Sequence, residues 1–274
     1  LSELSQPVKL LALDLDGTLI SDDLVISPRA KAAIQAAQER GVIVTLATGR
    51  MFYSAQGFAR ELNLTAPLVV EQGALVRDRL SGQTIFHLPV PFEVAREFIA
   101  VAQERGLETN VSVNDALWVD APTEGNVFYS VTSLVPIEKA GNLLELIDRP
   151  ELAPTKLVIV TQPKDTLKIM SEFQETFAGR LYVSRTHPRL TEAVHPGCNK
   201  GVALEALAKS LAIPLSQVMA IGDNLNDLPM FDYAGLGVAV ANASDGLKEK
   251  AGYVTQGRVA EGVVEAIERF ILAA

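Results

Sequence analysis

The stretch "LLALDLDGTL", residues 10–19, decides how this 274-residue chain is read. Its opening residues are uniformly apolar, as expected of a strand buried on both faces of a parallel sheet. It then supplies two aspartates two positions apart and turns at Gly17. Alternate residues of a strand share a face, so Asp14 and Asp16 are expected to project together. Like charges at that spacing repel, and desolvation raises their pKa values. A compensating group is required, and the rest of the chain supplies candidates.

Outward from this stretch the grammar is strand, helix, strand, helix, strand. "VISPRAKAAIQAAQERG" (25–41) predicts a helix with Ser27 as N-cap, Pro28 in its first position and Gly41 at its exit. "VIVTLATGR" (42–50) is a β-branched strand ending in Thr48-Gly49-Arg50; a helix near 52–62 leads to the short strand "APLVVEQGA" (66–74). The last third repeats the pattern: helical "NKGVALEALAKSLAI" (199–213), strands "QVMAIGD" (217–223) and "GLGVAVANA" (235–243), and a terminal helix from about 260 to 272. Such alternation marks an α/β fold, a doubly wound parallel sheet with right-handed crossovers. The middle differs. Strand-like "QTIFHLPV", "LETNVSVN", "ALWVDA", "KLVIVT" and "RLYVSR" interleave with helices near 92–105 and 164–178, an α+β order. The expected organisation is a core segment over 1–82, an inserted α+β domain over 83–186, and a second core segment over 187–274.

Composition sets bounds. Hydrophobic residues make up 48% of the chain, within the globular range, and no apolar run approaches a bilayer span. A net charge of −9 opposes nucleic-acid binding and repels phosphorylated small molecules at long range, so such a substrate needs local cations and backbone donors. The single cysteine, Cys198, can form neither an internal disulfide nor a thiolate cage. With no basic start followed by an apolar stretch, a cytoplasmic location is expected. His87, His187 and His195 have no metal-ligand spacing, and Trp118 reads as core of the insertion.

In open α/β sheets, ligands sit beyond the carboxyl ends of the strands. Three strands end there in polar clusters: Asp14 to Thr18, Thr48 to Arg50, and Gly222 to Asp227; a fourth cluster, Asn199-Lys200-Gly201, opens a helix. Asp14, Asp16 and Asp223 are hard oxygen donors suited to Mg²⁺. Lys200 adds a point charge, Thr48 a hydroxyl and Gly49 an amide. Cations and donors around phosphoryl oxygens are what phosphoryl transfer requires. One carboxylate can attack phosphorus while its neighbour moves protons. Lys200 at a helix start opposes the helix dipole, which favours a functional role.

"DLDGTL" resembles the first motif of the haloacid dehalogenase-like (HAD) superfamily, "LATGR" its second, Lys200 in "NKG" its third and "GDNLNDLPM" its fourth. The likeness extends to "VANA" (240–243) and "AEGV" (260–263), and the insertion is similar to the type IIB cap of the Cof-like phosphatases. The resemblance implies a Rossmann-like HAD core in which Asp14 is the nucleophile and Asp16 the general acid/base. It implies that Asp14, the Asp16 backbone carbonyl and Asp223 hold Mg²⁺ with Asp227 in support. Leu15, Thr48, Gly49, Lys200 and Asn226 would contact phosphate, and residues 19–26 would form a short hairpin flap. Gln72 stands where this family usually has Asn, and Val240 where it has Met. Asp227 reads equally as a turn cap, Asn242 as a substrate contact or a strand terminator, and Arg50 as a phosphate ligand or an ion-pair partner.

The function expected is Mg²⁺-dependent hydrolysis of a small phosphorylated metabolite through an aspartyl-phosphate. Sugar phosphates come first, then phosphorylated cofactors or nucleotides. A phosphomutase of the phosphomannomutase type is the enzymatic alternative and a phosphorylation-dependent signalling switch the non-enzymatic one. No nucleic acid, membrane or obligate protein partner is expected. The lack of spans removes an ion pump, and the lack of a G-x-x-x-x-G-K-[ST] loop removes a P-loop enzyme. Substrate choice would rest on loops of the insertion such as "VNDALW" (113–118) and "APTEGNVF" (121–128).

Overall fold

The computed structural model describes residues 6–149 and 151–273; the first five residues of the expected core segment, Pro150 and Ala274 lie outside the described residues. The chain divides into two compact units, one of Leu1–Gly49, Ala55–Phe86 and Asn199–Ala274, the other of Arg50–Ser54 and His87–Cys198.

The first unit is built on a parallel sheet whose strands run, side by side, Tyr253–Val254, Leu236–Ala239, Val218–Gly222, Leu10–Leu13, Ile43–Leu46. Leu10 to Leu13 are buried without exception, which is why this strand shows no apolar–polar alternation. Its register is Leu13 against Ile221 on one side and Leu46 on the other, so the residues following all three strands emerge at one edge. Leu68–Val70 joins beyond Ile43–Leu46 through a parallel bridge between Ala47 and Val69, then pairs antiparallel with Leu75–Arg77. The helix Pro28–Glu39 starts as the sequence dictates. Ser27 Oγ accepts from the Ala30 amide at 3.2 Å, proline occupies the first turn, and Gly41 leaves at φ +83°. Leu204 and Leu207 of the helix Lys200–Ser210 pack on Leu10, Val69 and Val218, so the same apolar contacts that build the core fix where Lys200 starts. Fully burying each such leucine contributes about 1.5–3 kcal/mol.

The second unit is α+β. Its six-stranded sheet runs Tyr182–His187, Leu190–Val194, Lys156–Val160, Glu108–Val113, Ala116–Val119, Ile137–Lys139, antiparallel except for the last pair. One face packs on Phe98, Phe173 and Phe177, whose ring centroids lie 4.9–5.8 Å apart, with Trp118 against the same core. The other face carries Leu117, Val158, Val160 and Leu190 against Tyr129 of the helix Glu124–Ser133.

The limits of the insertion differ from those expected. Thr84–His87 pairs with Leu75–Arg77 at the edge of the small sheet, so the first unit runs to Phe86 rather than 82. Leu190–Val194 hydrogen-bonds to Lys156–Val160, so the insertion ends at Cys198 rather than 186. Residues 19–26 form no hairpin; a single bridge joins Asp16 to Ile20, and Asp23 accepts from the Ser21 hydroxyl and the Val25 amide to close a local turn. Among the described residues, no helix is long and apolar enough to cross a membrane.

Candidate active site

Beyond the Leu10–Leu13 strand the chain stops alternating. Asp14 still follows the ladder, its amide donating to the Ile221 carbonyl at 3.0 Å, and its side chain is buried. The chain then turns: the Leu15 carbonyl accepts the amides of Thr18, Leu19 and Ile20, and Asp16 is exposed. The strand has ended before Asp16, so strand alternation does not set where its side chain lies. The carboxylates that do converge belong to Asp14, Asp223 and Asp227, with oxygens within 4.8 Å of one another.

One buried ammonium answers them. Lys200 Nζ donates to Asp14 Oδ1 and to Asp227 Oδ1, each at 2.6 Å. Lys200 is the first residue of its helix, and Asn199 caps that helix by accepting from the Val202 amide at 2.9 Å. Asp227 is a turn cap and also meets Lys200. Its second oxygen accepts the amides of Asp223 (2.9 Å) and Asn224 (3.0 Å), capping the turn, while its first oxygen holds Lys200. Asp223 accepts from the Thr18 hydroxyl at 3.1 Å. Gly17, at φ +87°, sits so close to the Asp223 carboxylate that any Cβ there would overlap it, which explains the glycine in "DLDGT".

Burial, reinforced by Asp227, pushes the Asp14 carboxyl well above the ordinary range against the pull of Lys200. Burial and Asp227 also raise Asp223, opposed by the Thr18 hydrogen bond. For Lys200, burial favours the neutral amine, but Asp14 and Asp227 outweigh it and hold the ammonium charged. Three carboxylates against one ammonium leave two negative charges when all are ionised. That donor set fits a divalent cation, which would bind the carboxylate oxygens and relieve their repulsion.

Thr48 and Gly49 lie at the same edge. Thr48 is buried, its amide donating to the Val69 carbonyl at 3.0 Å. Asn226, half-buried, donates from Nδ2 to Gln72 Oε1 at 3.1 Å. Asn242, open to two readings in the sequence, is a clamp. Its Nδ2 donates to the Gly17 carbonyl (2.8 Å) and its Oδ1 accepts the Val259 amide (2.7 Å). Arg50 belongs with the second unit and donates to Ser54 Oγ at 3.2 Å. Cys198 is buried, which pushes its thiol up to about 12, and takes no part in the cluster. Sequence reasoning gave Thr18 no role and no partner for Gln72; the only local hint for Thr18 was its place directly after the turn glycine.

Residues 11–267 match the family model described as haloacid dehalogenase-like hydrolase. The chain belongs to the haloacid dehalogenase-like hydrolase family. It shares 28% identity over 266 residues with the 5-amino-6-(5-phospho-D-ribitylamino)uracil phosphatase YcsE of Bacillus subtilis, covering 97% of this chain and 96% of that one. The HMP-PP phosphatase of Serratia proteamaculans is 28% identical over 250 residues, covering 88% and 86%. The crystal structure of TM0651 from Thermotoga maritima superposes with a TM-score of 0.86 at 30% identity, over 96% of this chain and 97% of that one. The HAD core and the Cof-type assignment stand on these matches, and the chain is a phosphoric monoester hydrolase.

Proposed function

We propose that this HAD hydrolase cleaves small phosphate monoesters with Mg²⁺ as cofactor and Asp14 as nucleophile. The observation that carries the reading is the buried Asp14–Lys200–Asp227 contact with Asp223 alongside, at the carboxyl edge of a parallel sheet. Asp14, Asp223 and the Asp16 backbone carbonyl would hold the ion, with Asp227 in support. When bound, Mg²⁺ supplies positive charge that offsets the carboxylates and draws a phosphate dianion to an acidic protein.

The protein's own groups account for the rest. An Asp14 oxygen bonds to phosphorus as the ester P–O bond breaks, and Asp16 gives its proton to the departing oxygen. Asp16 then takes a proton from water, the resulting hydroxide bonds to phosphorus, and the Asp14–phosphoryl bond breaks to release orthophosphate. Exposure of Asp16 suits a group that exchanges protons with substrate and water; burial of Asp14 suits one held in place by Lys200. Thr48, the amides of Leu15 and Gly49, Lys200 and Asn226 supply donors to the phosphoryl oxygens.

Sugar phosphates are the favoured class, with phosphorylated cofactors or nucleotides next. The substrate in the name of the YcsE relative carries its phosphate on a ribityl chain, a polyol close to the sugar phosphates. A screen of monoesters with and without Mg²⁺, read as orthophosphate release, tests the reading. Acid-quenched enzyme should retain an acyl-phosphate that Asp14→Asn lacks. Hexose 6-phosphate formed from hexose 1-phosphate in place of orthophosphate would identify a mutase instead.

A further inference from the structure

The turn after the Leu68–Val70 strand does something the motifs do not declare. Glu71 (φ +54°), Gln72 (φ +61°) and Gly73 (φ +88°) are successive left-handed residues, a backbone that the two with side chains rarely adopt. Such strain persists only where the surroundings impose it. Here they do. The Gln72 amide donates to the Thr48 carbonyl at 3.2 Å, and Gly73 is pressed so close to the Asn199 carbonyl that a Cβ would overlap it. The turn therefore touches the loop carrying Thr48 and Gly49 and the helix start carrying Lys200.

The Gln72 side chain makes the third connection. It is buried, its Nε2 is so near Gly49 that a Cβ there would overlap it, and its Oε1 accepts from Asn226 Nδ2 at 3.1 Å. Asn226 Oδ1 is buried with no hydrogen-bond partner among the described residues, so the bond to Gln72 is what orients this amide. An asparagine at position 72 would withdraw the carboxamide by about one C–C bond, ~1.5 Å, and lose the reach.

We propose that Gln72 is a positioning residue. Wedged over Gly49, it fixes the plane of the Asn226 amide and thereby ties the ends of two strands into one phosphate-binding arrangement. The proposal rests on the reading of Asn226 as a phosphate contact. One N–H of Asn226 is spent on Gln72, and the other is held in a fixed direction for a phosphoryl oxygen.

A double-mutant cycle tests it, with orthophosphate binding in Mg²⁺ measured by calorimetry on wild type, Gln72→Met, Asn226→Ala and the double variant. Met keeps the length of Gln and removes the acceptor. Gln72→Met should weaken orthophosphate by about tenfold, the worth of one well-placed hydrogen bond, and in the Asn226→Ala background it should change nothing further. Equal losses in both backgrounds, or a Gln72→Met protein that binds like wild type, would overturn the proposal, as would a wild type that does not bind orthophosphate. Circular dichroism checks folding, and Gln72→Ala replaces Gln72→Met should the latter not fold. A wild type that binds orthophosphate but hydrolyses no monoester would retire the phosphatase reading and leave this coupling standing.

Discussion

Each unit of the molecule buries a lysine, and the two lysines are matched differently. Lys200, in the first unit, sits 2.6 Å from two carboxylates with a third beside them. Lys156, in the second, stands 3.3 Å from Glu192 on the neighbouring strand, both almost wholly buried. Among the described residues no group of three acids or other metal-ligating side chains gathers around Lys156. A matched pair inside a sheet can be exchanged for apolar side chains at little cost. A cluster in which three carboxyls meet one ammonium is not balanced when ionised; it is stable only with something positive added, protons or a cation. The lesson is that charge imbalance, not burial, distinguishes Lys200 from Lys156.

Replacing each lysine breaks that comparison most directly. Lys200→Met removes the ammonium that holds Asp14 and that, on the proposed reading, meets the phosphoryl oxygens, so kcat/KM should fall by about 10²–10³ or more, the range for losing one electrostatic stabiliser. A loss under tenfold in Mg²⁺-saturated, folded protein would remove Lys200 from the mechanism. Lys156→Met should act on stability instead. It strands the buried Glu192 carboxylate at a cost of about 3–5 kcal/mol, read by urea unfolding, and the double variant Lys156→Met/Glu192→Leu should recover most of it. A double variant as unstable as the single would mean that the pair is not the simple matched pair described here.

The parallel core was legible because its logic is local and repeated: apolar strand, polar end, helix cap. Register then assembled Asp14, Thr48 and Asp223 without further instruction. Asp16 was not fixed by alternation, because the strand ends at Leu13 and the chain turns at Gly17. The end of the insertion lies beyond 186 because a hairpin, irregular in register between Arg185 and His187, carries the chain into Leu190–Val194, which pairs with Lys156–Val160. The Gln72–Asn226 bond joins residues 154 positions apart, and no periodicity or spacing signals such a pair. The Lys156–Glu192 pair was invisible for the same reason, since strand adjacency in the second unit does not follow chain order.

The smallest effect sharpens the comparison by making the surplus charge titrate. Burial raises Asp14 and Asp223 in the metal-free fold, so the native state holds protons that the unfolded chain has already released. Between the ordinary carboxylate range and those raised native values, stability must therefore fall as pH rises; below the ordinary range the groups are protonated in both states and the penalty vanishes. On the proposed reading, Mg²⁺ would bind the ionised cluster and offset the penalty, by about 2.7 kcal/mol at a hundred times its Kd. The rise in Tm on adding Mg²⁺ should thus be several degrees at pH 8 and much smaller at pH 5, where protons compete for the same oxygens. Asp223→Asn should abolish most of that increment, and Lys156→Met/Glu192→Leu should retain all of it. An increment independent of pH, or one lost with the Lys156–Glu192 pair, would place the ion elsewhere than on the unbalanced cluster.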